Sequence, residues 1–215
     1  MKIVSFIGEK GGVGKTTNAH ATAHGLSMLG TPAAYVMTDR RELLTDERRV
    51  YAILDGRTVA QLEGTIATAR GQGRNGVYVI DGGASRAAVD DLLVSVSDLV
   101  ILPFTADDDS NYVVTEEMRK FPAALAMPSN WTTNSKAADV DAGYIEKLEV
   151  LYPGRILPPT PNTHSVRDFL LQNFNGKVLP PAQRYCRTLA RRIADILDTE
   201  REDDAAPGRG YARTA

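Results

Sequence analysis

The chain has 215 residues, with 25 Lys and Arg against 27 Asp and Glu, so its formal net charge is −2. This balance excludes strong overall basicity, so any contact with nucleic acid must come from a local patch. The single cysteine, Cys186, excludes an intrachain disulfide and a cysteine metal cage. The sequence has no run of 18 apolar residues and its N-terminus lacks the apolar stretch of a signal peptide, which favours a cytoplasmic protein.

Short apolar segments alternate with helical patterns along the chain. Six apolar segments are predicted as strands, in chain order 2–7, 33–37, 77–80, 99–104, 123–127 and 155–157. Segments with helical periodicity or helix stop signals are predicted as helices at 16–29, 87–96, 110–120, 138–151, 165–173 and 182–197. The polar, arginine-rich stretch 39–73 is predicted to contain further helical segments.

The alternation of strands and helices predicts the fold class. Strands that are apolar throughout are buried on both faces, and right-handed crossovers then give a doubly wound α/β fold with a mostly parallel sheet and helices on both faces. Ligands of such folds bind at the carboxyl ends of the strands. We expect one domain over residues 1–198. Residues 199–215 are predicted to be a disordered tail, because they are charged, then rich in Pro, Gly and Arg, and lack periodicity.

A glycine-rich loop, KGGVGKTT from Lys10 to Thr17, lies between the first predicted strand and helix. Glycines let consecutive backbone N–H groups turn toward phosphate oxygens, and the helix N-terminus adds partial positive charge. The Lys15 ammonium can reach β- and γ-phosphates, and the Thr16 hydroxyl can bind Mg²⁺. The loop therefore predicts a P-loop site for ATP and Mg²⁺, with nucleotide contacts from Gly11, Gly12, Val13, Gly14, Lys15, Thr16 and Thr17.

One detail of the loop departs from the general phosphate-loop pattern. Glu9 stands where the first glycine is expected, and Lys10 precedes a Gly-Gly pair. In this the loop resembles the deviant Walker A motif of the ParA/MinD family of ATPases. The resemblance implies that ATP joins two subunits in a sandwich homodimer and that Lys10 reaches the partner's phosphates. It also implies an ATPase that is slow without a partner protein, with Lys10 and Lys15 among its catalytic residues.

Two aspartates match further landmarks of that family. Asp39 follows the second predicted strand and corresponds to the switch I aspartate that orients the attacking water near Mg²⁺. The family's preceding aspartate is replaced here by Met37, and its usual Pro-Gln by Arg40 and Arg41. Asp81 ends the third predicted strand, where an acidic residue can hold a Mg²⁺-bound water. The resemblance thus implies a catalytic role for Asp39 and a metal site formed by Thr16, Asp39 and Asp81.

The family grips adenine with loops that follow its later strands. Asn130 and Pro161 fall at corresponding places in this sequence, the latter within the segment 159–162. Both are assigned to the adenine site by resemblance, and a plain loop is the alternative interpretation for each.

A basic patch is predicted on the last helix. Between Arg167 and Arg192, six basic residues stand against one acid, which gives a local charge of +5. On a helical wheel, apolar residues fill one face, and four arginines lie within an arc of about 140° on the other: Arg184, Arg187, Arg191 and Arg192. Arginines at this spacing suit sequence-independent contacts to DNA phosphates. The alternative is an ordinary solvated arginine face.

These features together favour a ParA-like ATPase that partitions a plasmid or chromosome. The resemblance implies a dimer that binds double-stranded DNA nonspecifically in its ATP state. Such a protein is nucleoid-associated in the cytoplasm, and it is released when a centromere-binding or adaptor protein stimulates hydrolysis.

Other functions are compatible with the same loop. An ATPase that positions a protein cargo is not separated from partition by the sequence. A MinD-like membrane switch is disfavoured, because the acidic stretch 200–204 that follows the last helix would be repelled by an anionic membrane. An ATP-dependent small-molecule ligase of the dethiobiotin synthetase type would require neither Lys10 nor the arginine helix. His20 and His24 are four residues apart, but no third ligand accompanies them, so a zinc site is not expected.

Overall fold

The computed structural model describes residues 1–39, 42–45, 47–71, 75–83 and 87–205. Within them, six strands form one parallel sheet in the order β3-β2-β4-β1-β5-β6. The strands are β1 Lys2–Phe6, β2 Ala33–Met37, β3 Ala52–Asp55, β4 Val77–Asp81, β5 Leu99–Phe104 and β6 Leu125–Pro128. The doubly wound α/β fold is thereby confirmed. The four central strands of the sheet, β2, β4, β1 and β5, are almost completely buried.

Helices cover both faces of the sheet. They are α1 Lys15–Met28, α2 Val59–Gly71, α3 Ala87–Val96, α4 Asp108–Lys120, α5 Ser135–Leu151, a 3₁₀ helix His164–Leu170 and α6 Pro180–Ala205. One core contains side chains from α1, the 3₁₀ helix and α6. The other contains side chains from α2, α3, α4 and α5. This division leaves the carboxyl ends of the strands open to a ligand.

Two predicted boundaries differ from the structure. A strand was predicted at 155–157, but Ile156 makes only an isolated bridge to Ala126, because Pro158 and Pro159 directly follow and cannot donate to a ladder. The sixth strand is instead β3, within the stretch predicted to be helical. The last helix was predicted to end at 197 and continues to Ala205, eight residues further. A single domain over 1–198 stays a prediction, and residues 206–215 of the predicted tail lie outside the described residues.

Helices α1 and α6 cross at very short distance. A Cβ atom placed on Gly25 of α1 would lie 2.1 Å from the backbone oxygen of Cys186 on α6. The side chain of Cys186 is itself fully buried, as are Ala190 and Ile193 one and two turns further on. The glycine therefore sets how closely the arginine-bearing helix approaches the helix that begins at the phosphate loop.

Candidate functional site

The predicted phosphate loop lines a cavity of about 380 Å³ at the carboxyl ends of the strands. Residues from four other segments complete its wall. The lining residues are Gly11, Gly12, Gly14, Lys15, Thr16, Thr17, Asp39, Asp81, Gly82, Gly83, Asn130, Arg167 and Leu170. The structure thus brings the loop together with both aspartates, although Asp39 lies 22 residues and Asp81 64 residues beyond the end of the loop in the sequence.

The phosphate loop is shaped by left-handed glycines and by its own lysine. Gly12 and Gly14 have φ angles of 81° and 97°, which side chains rarely adopt. Lys15 begins α1 and is buried, and its ammonium donates to the carbonyl oxygen of Lys10 at 2.6 Å. Burial lowers the pKa of Lys15, and nearby carboxylates, first among them Asp81, oppose that shift. The loop therefore wraps around a lysine that faces the cavity.

Lys10 is held within its own subunit by α4. Its ammonium lies 3.1 Å from Asp107 Oδ1 and 3.6 Å from Asp109 Oδ2. Asp107 also caps α4 by accepting the Ser110 backbone N–H at 2.8 Å. The Lys10 side chain is about a third exposed, and these two carboxylates hold its ammonium beside the start of α4.

The aspartate that ends β4 is fixed by the neighbouring strand β2. Asp81 is 1% exposed, and its Oδ2 accepts the Tyr35 hydroxyl at 2.8 Å. Thr38 donates to the Asp81 carbonyl at 2.6 Å and accepts the Gly83 N–H at 3.0 Å, which joins the end of β2 to the segment after β4. Asp39, the next residue after Thr38, lines the same cavity and is half-buried.

The oxygen donors at this end of the cavity fit a magnesium ion that arrives with a nucleotide. Among the described residues no cluster of three or more His, Cys, Asp or Glu could hold a metal alone. Mg²⁺ usually keeps several waters and binds one or two protein oxygens together with substrate phosphates. Thr16 at the start of α1 and the buried carboxylate of Asp81 supply that kind of incomplete shell.

The two residues assigned to adenine line different cavities. Asn130 has a φ angle of 55° and lines the phosphate cavity, whereas Pro161 lines a neighbouring cavity of about 320 Å³ with Arg184 and Arg192. Backbone hydrogen bonds between Trp131 and the segment 160–162 hold the two loops side by side. The placement of both residues at an adenine ring remains a prediction.

No protein-family model matches the chain, and no curated protein matches its sequence. Solved structures do match over most of the chain. The cell division protein MinD of Aquifex aeolicus has 17% identity and a TM-score of 0.69, with 91% of this chain and 97% of MinD covered. The chain has the P-loop fold of MinD.

Two further structures share this fold. A Borrelia burgdorferi protein assigned to plasmid partition and bound to AMPPNP has 15% identity and a TM-score of 0.65, covering 91% of this chain and 99% of that one. Cobyrinic acid a,c-diamide synthase of Mycobacterium smegmatis, with bound ADP and magnesium, has 14% identity and a TM-score of 0.66. That match covers 93% of this chain and 96% of the synthase. The same fold therefore occurs in a cell division protein, in a protein assigned to plasmid partition and in a synthase.

The arginine helix divides into exposed and anchored members. Arg184, Arg187 and Arg191 are exposed on α6. Arg192 is half-buried and donates to the Pro158 carbonyl oxygen at 2.5 Å, and burial lowers its pKa. The helical wheel grouped all four on one face, but the chain after β6 passes close enough to bind the fourth. Arg192 therefore holds the 158–162 loop, and the other three arginines of this face are exposed.

Three features of the site lay outside the predicted site residues. Arg167 on the 3₁₀ helix lines the cavity and was counted only as part of the basic patch. Asn18 joins three elements: its amide nitrogen donates to Gly14 O at 2.9 Å and to Ser129 Oγ at 3.0 Å, and its oxygen accepts the Tyr185 hydroxyl at 2.5 Å. Tyr35 binds Asp81, as described. In the sequence, only the polar Asn18, one turn into the helix, could have pointed to these contacts.

Proposed function

We propose that the protein is a Mg²⁺-dependent ATPase of the ParA/MinD type that acts as a nucleotide-controlled positioning switch. The single observation that carries this proposal is the phosphate loop, which directly follows the extra Lys10 and lines one cavity together with Asp39 and Asp81. The shared fold with MinD, with a protein assigned to partition and with an ADP- and magnesium-bound synthase supports nucleotide as the ligand.

Each residue of the loop has a definite task in this proposal. Backbone N–H groups from Gly11 to Thr17 bind phosphate oxygens, and the Lys15 ammonium neutralises charge between the β- and γ-phosphates. Thr16 and Asp81 hold the metal ion and its waters, and Mg²⁺ when bound neutralises the charge that develops on the phosphates. Asp39 orients the attacking water. Lys10 leaves Asp107 and binds the partner's phosphates, so that ATP links two subunits.

We further propose that the ATP-bound dimer binds double-stranded DNA through α6. The three exposed arginines of the helix supply phosphate contacts, and a dimer doubles their number. Tyr185 of α6 reaches the phosphate loop through Asn18 and Gly14, so the arginine helix is tied by two short hydrogen bonds to the site where nucleotide binds. A partner protein that stimulates hydrolysis would then release DNA, as in partition of a plasmid or chromosome.

The test is binding to arbitrary duplex DNA without nucleotide, with ADP and with a nonhydrolysable ATP analogue, each at two salt concentrations. We expect binding in the analogue state that weakens steeply with salt. Arg187→Glu combined with Arg191→Glu should abolish it. The matched control is Lys136→Glu combined with Lys147→Glu, which makes the same charge change on α5, across the sheet. No binding in any state, or equal loss in both double variants, would contradict the DNA proposal.

A second candidate function is an ATP-dependent small-molecule ligase. A further cavity of about 310 Å³ adjoins the phosphate cavity at Thr16 and Leu170, and its wall includes Tyr35, Met37 and Leu44. A small substrate there would lie beside the phosphates, and a biosynthetic synthase shares the fold. Lys10 and the arginine helix have no task in such chemistry. ATP hydrolysis stimulated by duplex DNA or by a partner protein, and not by small carboxylates, would favour the switch.

Two variants of the switch differ only in cargo. A protein cargo instead of DNA would leave the site unchanged and make α6 a protein-binding face. For the membrane-bound variant, none of the helices in the described residues is long and apolar enough to cross a bilayer. Flotation of the analogue-bound protein with anionic vesicles tests peripheral attachment directly, and we expect none.

A further inference from the structure

Tyr35 occupies an unusual place for a tyrosine, in the middle of a buried parallel sheet. It lies on β2 with 1% of its surface exposed, and it pairs in register with Val79 of β4. Asp81 lies two residues further along β4, or about 6.6 Å at the usual rise of a strand. Side chains two residues apart share a face of the sheet, so a long side chain at 35 points toward the carboxylate.

The tyrosine hydroxyl is hydrogen-bonded to that carboxylate. It donates to Asp81 Oδ2 at 2.8 Å, and each of the two residues has 1% of its surface exposed. Directly opposite Asp81 in the register stands Met37, which is also buried and whose thioether is at most a weak hydrogen-bond acceptor. The donor to this carboxylate from β2 is therefore Tyr35, two residue pairs away on the same face of the sheet.

The ring of Tyr35 is held rigidly by a stack behind it. The His20 imidazole lies parallel to it, with ring centroids 3.7 Å apart and an interplanar angle of 18°. His20 Nδ1 is in turn 2.9 Å from the Tyr51 hydroxyl, which accepts from the Arg49 guanidinium at 3.0 Å. Arg49 also donates to the Phe169 carbonyl at 2.9 Å, which anchors the stack to the 3₁₀ helix. The hydroxyl of Tyr35 consequently has little freedom to leave Asp81.

We infer that Tyr35 is a positioning residue for Asp81 and that it fixes the carboxylate in the orientation needed to hold the Mg²⁺ of a bound nucleotide. A phenol donor on Oδ2 restricts the rotation of a carboxylate whose residue lines the phosphate cavity. Outer hydrogen-bond partners of metal-binding groups commonly change metal affinity when they are removed. The inference rests on the proposed nucleotide site.

The experiment measures nucleotide binding as a function of Mg²⁺ for wild type and Tyr35→Phe. A fluorescent ATP analogue is titrated first in EDTA and then at increasing Mg²⁺, which gives a Mg²⁺ midpoint without any need for hydrolysis. We expect the midpoint to rise about tenfold or more in Tyr35→Phe, with affinity in EDTA unchanged. Tyr78→Phe is the matched control, because Tyr78 is a buried tyrosine on β4 itself whose side chain faces the other core. Its midpoint should equal that of wild type.

The other outcomes separate the inference from the function it rests on. An unchanged midpoint in Tyr35→Phe, or equal weakening with and without Mg²⁺, would overturn the positioning role. If nucleotide binding by the wild-type protein does not depend on Mg²⁺, that result would overturn the proposed function instead. If Tyr35→Phe is poorly folded, the change is made in an Asp81→Asn background and compared with Asp81→Asn alone. A tenfold further shift there would show that Tyr35 acts on something other than Asp81.

Discussion

Asp90 is a buried acid whose titration should make its own contribution to stability depend on pH. It lies on α3 and is 3% exposed, and its Oδ1 has no hydrogen-bond partner among the described residues. Burial and then the carboxylate of Glu117 raise its pKa to about 7, while Lys15 and Lys120 oppose the shift and Glu9 adds to it. The folded protein therefore keeps a proton on Asp90 that the unfolded chain loses near its ordinary pKa of 3.8.

The sign of the effect follows from that difference. Between about pH 4 and pH 7 the unfolded state has released the proton of Asp90 and the folded state has not, so the contribution of Asp90 to stability falls as pH rises through this window. Three pKa units at 1.36 kcal/mol each give an upper bound of about 4 kcal/mol. Relaxation and partial hydration of the site reduce this, and we expect about 2 kcal/mol. Asp90→Asn is neutral at every pH, so it should stabilise the fold by about that amount at pH 8 and by almost nothing at pH 4.

The assay is urea unfolding of wild type and Asp90→Asn at intervals from pH 4 to pH 8.5. The difference in unfolding free energy should grow through neutral pH and level off above it. Asp91→Asn is the matched control, because Asp91 is half-exposed and pairs with Lys120 on the surface. Its effect should stay within about 0.5 kcal/mol and change little with pH. A difference for Asp90→Asn that is flat with pH, or destabilisation at pH 8, would refute a protonated buried acid.

Two further predictions concern the helix crossing and the dimer. Gly25→Ala should cost about 3 kcal/mol in urea unfolding, because its Cβ would overlap a backbone oxygen of α6 that cannot move away alone. Gly64→Ala, on the open surface of α2, should instead stabilise by about 0.5–1 kcal/mol, and similar costs at both positions would contradict the crossing. Lys10→Ala should lose the dimer formed with a nonhydrolysable ATP analogue, measured by light scattering, while nucleotide binding persists. A dimer of unchanged stability would refute a role for Lys10 across the interface.

The sequence predicted the phosphate loop and the central strands well because their signals are local. The glycines and Lys15 follow one another in eight residues, and β1, β4 and β5 are apolar except at Lys2, Ser5 and Asp81. The edge strand β3 has no such signal: Ala52 is exposed and the three residues after it are only half-buried. β3 is a strand because it pairs with β2, and its own composition does not predict that pairing.

The polar contacts around the site could not be predicted because their partners are distant in the chain. Tyr35 and Asp81 are 46 residues apart, and Asn18 and Tyr185 are 167 apart. A helical wheel likewise predicts only which face of α6 Arg192 lies on. It cannot predict that the Pro158 carbonyl oxygen accepts a hydrogen bond from that arginine. Composition and periodicity specify which face of an element is buried, but the identity of a hydrogen-bond partner depends on which elements the topology brings together. The orientation of the Asp81 carboxylate is therefore a property of the β2–β4 pairing, and variation at position 35 can change it without any change in the loop motif.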